Sequence, residues 1–231
     1  MRRNSGFETI KTEGSLLPAD LLQRIAEGDS DLKGLKAQDY HITGEKLNEA
    51  ISRSWNTLTV IWSHFRKQAE NLQEGQPTTG LTREKWLLPL FKHLDYGRLQ
   101  PSKATLIDDK SYPISHFWHK SPIHLVGMDV DLNKRTPGQA GAARQSPHSM
   151  VQEFLNRSED HLWGFLSNGY KLRILRDNIS MTRQTYVEFD LESMMEGEAY
   201  SDFVVLWLLC HQSRVENERP EANDLSDIKE R

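Results

Sequence analysis

The dipeptide Asn168-Gly169 constrains the fold of this chain more tightly than any other two residues. It stands between two apolar runs, Trp163 to Leu166 before it and Leu172 with Ile174 after it. Asn-Gly in that setting is the strongest short-range signal for a β-hairpin, because a type I′ turn needs positive φ at both turn residues. Beyond the turn, Leu172 and Ile174 alternate with Lys171 and Arg173, and Arg176 follows. The alternation predicts a strand with one core face and one basic face. A short helix leads into this hairpin. Ser146 is a suitable N-cap, Pro147 suits the first helical position, and Met150, Val151, Phe154 and Leu155 make one apolar face.

Upstream, Leu17, Leu21, Leu22 and Ile25 predict a short helix, and Leu47 through Ala69 predicts a long amphipathic one over 45–72. Trp86, Leu87, Leu90, Phe91 and Leu94 continue the helical pattern, with Pro89 as a kink. Between 98 and 132 the pattern changes to strand-like pieces: 104–108, 112–118 and 123–132. The stretch 134–145 lacks periodicity and reads as a loop. Tyr186-Val187-Glu188-Phe189-Asp190-Leu191 alternates as a further strand, and Ser201 and Asp202 open a helix that is apolar on nearly all sides. The expected organisation is therefore α/β (α+β): a loose segment 1–14, a helical lead-in 15–78, a mixed core 79–215 and a charged tail or linker 216–231.

Charge bears on function only locally. The net charge is −4, but 216–231 hold six acidic and three basic residues, so the remainder is nearly neutral and any nucleic-acid surface must be a patch. The single Cys210 excludes an internal disulfide and a cysteine zinc site. Its apolar run, 203–210, is too short for a bilayer, and Met1-Arg2-Arg3-Asn4 is not followed by an apolar signal core, so a cytoplasmic address without a membrane partner is expected.

Trp163-Gly164 through Asn168-Gly169 to Leu172-Arg173-Ile174-Leu175-Arg176, followed by Tyr186-Val187-Glu188-Phe189-Asp190-Leu191, resembles a segment in the N-terminal regions of large bacterial restriction-modification proteins. These are the type IIG (Eco57I-like) enzymes and related methylases of phage-defence systems. The segments 47–55 and 81–91 fit the same pattern, and the similarity spans most of 15–215. It implies a degenerate restriction-endonuclease-like fold of the PD-(D/E)xK type: a mixed sheet flanked by helices, in which a hairpin, a helix and a further strand ending in an Asn-Gly turn follow one another. It also implies DNA as a partner, together with a downstream methylase domain or separate subunit. S-adenosylmethionine would belong to that methylase alone, since this chain has neither an Asn/Asp-Pro-Pro-Tyr/Phe loop nor a glycine-rich motif after a strand.

Metal-assisted phosphodiester hydrolysis needs carboxylates on Mg²⁺ and usually a lysine. Asp129 and Asp131, two apart on the expected strand, would share a face, and Asp109 (or Asp108) could add a third carboxylate. The family's Glu-x-Lys is Asp-Val-Asp here, with Lys134 the nearest substitute for the lysine. Polar residues at a strand end are the alternative reading of both aspartates. His116, His119 and His124 have spacings that admit a metal, or belong to a surface hairpin. Lys171, Arg173, Arg176 and Arg183 could track a phosphate backbone, or form a solvated strand face. Gln152 occupies the place of a helix glutamine seen in nuclease relatives, or is simply an exposed helix residue. Three functions follow: a DNA-contacting or partner-docking endonuclease-like module, an active Mg²⁺-dependent endonuclease, and a non-enzymatic interaction domain.

Overall fold

The computed structural model describes residues 6–14, 16–139, 141–177 and 184–216. Strand β1 (Ile10–Glu13) precedes helices α1 (Ala19–Ala26) and α2 (Leu47–Glu70). A third helical run is continuous through α3 (Thr79–Thr82), a π-helical turn (Arg83–Leu87) and α4 (Leu88–His93). Strands β2 (Thr105–Ile107), β3 (Lys110–Tyr112), β4 (His116–Trp118) and β5 (Ser121–Leu125) follow. The remainder is α5 (Pro147–Arg157), β6 (Trp163–Ser167), β7 (Lys171–Arg176), β8 (Tyr186–Asp190), α6 (Leu191–Glu196) and α7 (Tyr200–Cys210).

The main sheet has six strands in the order β1-β8-β7-β6-β5-β4, and β2 with β3 forms a separate two-stranded sheet. Only β5 and β6 run parallel, joined by the crossover through α5; the other neighbours are antiparallel. The protein is thus mixed α/β, with its central sheet covered on both faces. One face, through Ile123, Leu125, Phe165, Leu172, Ile174, Val187 and Phe189, packs on α1, α2, the α3–α4 run and α7. The other, through Leu166 and Leu175, packs on Val151, Phe154 and Leu155 of α5 and on Tyr112 of the small sheet. The first of these cores draws on residues from Ile10 to Val215 and so includes both sides of position 78.

Several local expectations change in the folded chain. The Asn168-Gly169 hairpin forms, but not with a two-residue turn: only Gly169 has positive φ (+88°), and three residues link Ser167 to Lys171. The Asn168 side chain explains the difference. Its Oδ1 accepts from Tyr170 N at 3.1 Å and Lys171 N at 2.9 Å, and its Nδ2 donates to Val130 O at 2.9 Å, so the side chain closes the turn and ties it to the neighbouring loop. The two-residue turn with positive φ at both positions is instead Asp108-Asp109, between Ile107 and Lys110. Around Pro89 the helix widens rather than stops. Its ring cannot sit against the Lys85 carbonyl one α-turn back, and the π turn that includes Lys85 supplies the room.

The segment expected to be loose contains β1, paired to β8 from Ile10↔Phe189 to Glu13↔Tyr186. Asp202, expected to cap its own helix, instead accepts from Thr9 N at 2.8 Å, Thr9 Oγ1 at 2.7 Å and Glu8 N at 3.1 Å, fastening the start of β1 to α7. Strand β5 ends at Leu125, not Leu132. Val126 N still donates to Ser167 O of β6 at 2.9 Å, and after it Val130 N donates to Gly127 O at 3.0 Å, so the chain turns away from the sheet over Gly127 to Val130. Gly127 permits this turn, because a Cβ there would collide with the Thr78 and Asp129 side-chain oxygens. Among the described residues no helix is long and apolar enough to cross a membrane.

Candidate nucleic-acid interface

Three carboxylates were expected to meet, and they do not. Asp109 lies exposed at the tip of the β2–β3 hairpin, in a different sheet from β5. Asp129 sits in the turn after β5, where Oδ1 accepts from Thr78 Oγ1 and Oδ2 from Gln139 Nε2 at 3.3 Å. Asp131 closes its own turn by accepting from Asn133 N at 2.8 Å, and Lys134 pairs with it at 3.4 Å. That backbone hydrogen bond, followed by Lys134, holds the Asp131 carboxyl below its ordinary range. With the strand ending at Leu125, the shared face expected for Asp129 and Asp131 does not exist. Among the described residues no three His, Cys, Asp or Glu side chains converge as a metal site would require. The fold thus does not bring Asp109, Asp129 and Asp131 together, and Lys134 lies beside Asp131 in an exposed contact.

The histidines are divided by the sheet itself. His116 pairs across the ladder with Ile123, so it shares that residue's face, while His124 is the next residue along and points to the other. Burial pushes both down to about 4, so both are neutral near pH 7. His124 is a clamp. Its Nδ1 accepts from Ser115 N at 3.3 Å and its Nε2 donates to Gly141 O at 3.1 Å, tying β5 to the loop ahead of α5. His119 is in the turn between β4 and β5, with φ +46°.

The expected basic stripe on β7 is buried at its centre, with Lys171 and Arg176 partly exposed at its ends. Arg173 is 2% exposed and Glu188, its cross-strand partner, 5%. Arg173 Nε donates to Glu188 Oε2 at 2.7 Å, one terminal nitrogen donates to Asn133 Oδ1 at 2.7 Å and lies 3.1 Å from His148 Nδ1, and the guanidinium stacks 4.3 Å from the Tyr186 ring. Lys171 reaches the other Glu188 oxygen at 3.5 Å. Arg176 lies over the Trp163 ring at 5.4 Å, and Arg183 is outside the described residues. Arg173 is corrected from a phosphate contact to the centre of a buried ion pair. The signal was present in both strands: Lys171 and Arg173 on one, Glu188 on the other, all on the face away from Leu172 and Val187. Gln152 has a structural task too, its Nε2 donating to Arg176 O at 2.8 Å and so fastening α5 to the end of β7.

Exposed positive charge gathers elsewhere. From Asn133 to Gln152 the chain has three Lys or Arg residues and no carboxylate. Arg135 and Arg144 are exposed, and neither pairs with a carboxylate among the described residues. Arg144 lines a cleft of about 530 Å³ between β3 and the loop before α5, and Lys110 also lines it. The Lys110 ammonium is held at 2.6 Å by Glu153 of α5, which also accepts from Tyr112 Oη at 3.0 Å and pairs with Arg157 at 3.2 Å. Burial alone would raise the Glu153 carboxyl, but its contacts with Lys110 and Tyr112 outweigh that and hold it below its ordinary range. Sequence reasoning passed over Lys110, Arg135 and Arg144, although the carboxylate-free run was countable. The exposed Arg135 and Arg144 guanidiniums, carried by one loop, suit phosphate oxygens, which ask for positive charge, whereas the Lys110 ammonium is already paired with Glu153. No family model, no curated protein and no solved structure matches the chain.

Proposed function

We propose that the chain is an endonuclease-like, DNA-contacting module of a bacterial restriction-modification or phage-defence DNA methylase. In this reading it acts beside a methylase domain or subunit and does not itself hydrolyse DNA. The order hairpin β4–β5, helix α5, parallel strand β6 and Asn168-Gly169 turn supports the endonuclease-like part. The observation that carries DNA contact is the carboxylate-free stretch presenting Arg135 and Arg144, the latter lining the cleft. The carboxylates that hydrolysis would need are spread over separate turns, and Asp129 and Asp131 each have their own partners.

The test is binding to duplex DNA over a salt series, with Mg²⁺ present and absent, and with the DNA checked for nicks in the same tubes. Binding should weaken steeply with salt and leave the DNA intact. Arg135→Ala with Arg144→Ala should lower the log–log salt slope by about 1 for each phosphate that the variant no longer neutralises. An unchanged slope, or no binding at all, would refute DNA contact through this surface. Mg²⁺-dependent nicking would refute the non-hydrolytic part.

A further inference from the structure

The cleft between β3 and the loop before α5 is lined by both polar and apolar side chains. Lys110, Ser111, Arg144 and Gln145 supply the polar part of the lining, and Pro113 and Met150 the apolar part. Its volume of about 530 Å³ falls within the roughly 300–1,000 Å³ typical of small-ligand sites, enough for one nucleotide and too little for a base-paired duplex.

The walls are fixed by contacts that owe nothing to a ligand. Gly141 has φ +81°, and a Cβ on it would lie 2.5 Å from His124 Cε1, so the loop rests directly on the imidazole that holds its carbonyl. Glu153 fixes Lys110. A preformed opening lined by two cationic side chains, a thioether and a pyrrolidine ring matches a phosphate joined to a flat heterocycle. Phosphate needs positive charge, base faces need apolar contact, and base edges need side chains that both donate and accept, as Ser111 and Gln145 do.

We propose that this cleft takes a single unpaired nucleotide of a DNA strand, with its phosphate between Lys110 and Arg144 and its base against Pro113 and Met150. The inference rests on the DNA-contacting reading and adds to it a preference for unpaired over paired strand.

The experiment measures dissociation constants by fluorescence polarisation for a labelled single strand and for the same sequence as a duplex, with wild-type chain and with Ala143→Trp. Ala143 is exposed and lines the cleft, so tryptophan fills the opening without removing a cation or a core residue. Wild-type chain should bind the single strand more tightly than the duplex. A143W should weaken single-strand binding about tenfold, the scale of one base's stacking interaction, and leave duplex binding unchanged. Thymidine 5′-monophosphate should compete for the wild-type chain only. Equal affinity for both DNAs, or single-strand binding untouched by A143W, would overturn the inference while leaving duplex contact standing. Absence of binding to either DNA would overturn both.

Discussion

Replacing Arg173 by methionine separates two roles that one residue cannot hold together. A phosphate-contacting arginine, once removed, weakens DNA binding and leaves the fold intact. A buried ion-pair member does the reverse. Arg173 is buried against Glu188 at 2.7 Å, with Asn133 and Tyr186 completing its surroundings. Breaking one side of such a pair costs about 3–5 kcal/mol, because the surviving charge stays in low dielectric without its partner. Lys171 remains 3.5 Å from Glu188 and partly compensates, which places the loss near the lower end, about 3 kcal/mol. With a urea m-value of about 3 kcal/mol/M for a chain of this size, the unfolding midpoint falls by about 1 M. Urea denaturation followed by tryptophan fluorescence measures this directly. Arg173→Met with Glu188→Leu should recover most of the stability, since removing both charges removes the desolvation penalty as well. A single variant with unchanged midpoint and weakened DNA affinity would refute the buried-pair reasoning and restore Arg173 to the surface.

Three further outcomes follow from the same structure. His116, His124 and His148 are each pushed by burial from 6.5 to about 4, so between those values the unfolded chain binds more protons than the folded one. Their contribution is therefore complete above pH 6.5 and declines as the pH falls towards 4, by about 1.4 kcal/mol per pH unit for each histidine; urea midpoints that stay level from about pH 7 to about pH 4.5 would contradict it. Asp202→Ala leaves the Thr9 donors without their acceptor, at a cost of about 1–3 kcal/mol, and hydrogen exchange should speed up across β1 more than across β6 and β7. Gly169→Ala forces an L side chain to φ +88° with its Cβ 2.6 Å from Thr82 Cγ2, and thermal unfolding should register a destabilisation of at least about 1–2 kcal/mol; an unshifted melting temperature would mean that the turn can rearrange.

The elements legible in the sequence were those whose pattern is local. The periodicity of Leu47 through Ala69 leaves one apolar stripe that only a helix can bury, and it gives α2 within two residues at each end. The strict alternation of Tyr186 to Asp190 gives β8, and Ser146-Pro147 gives the start of α5, where Ser149 N donates to the Ser146 hydroxyl at 3.2 Å. The candidate site was not legible in this way, because it depends on what covers a residue rather than on the residue's type. Lys171 and Arg173 looked like a solvated face since alternation reports two faces but not whether the second is buried too. Only the sheet order, which sets β8 beside β7, and α5 with its preceding loop over that face, made Arg173 internal and Glu188 its partner.

Tertiary contact also decided the fates of Asp129 and Ile10. Asp129 is drawn to Thr78, a residue 51 positions away, and leaves the strand expected to carry it. Ile10 to Glu13 has almost no apolar content of its own and becomes a strand because β8 offers a free edge and Asp202 a buried acceptor. Local pattern thus determined which segments could be helix or strand. Long-range pairing determined which faces met water, and with them where the exposed positive charge of this protein lies.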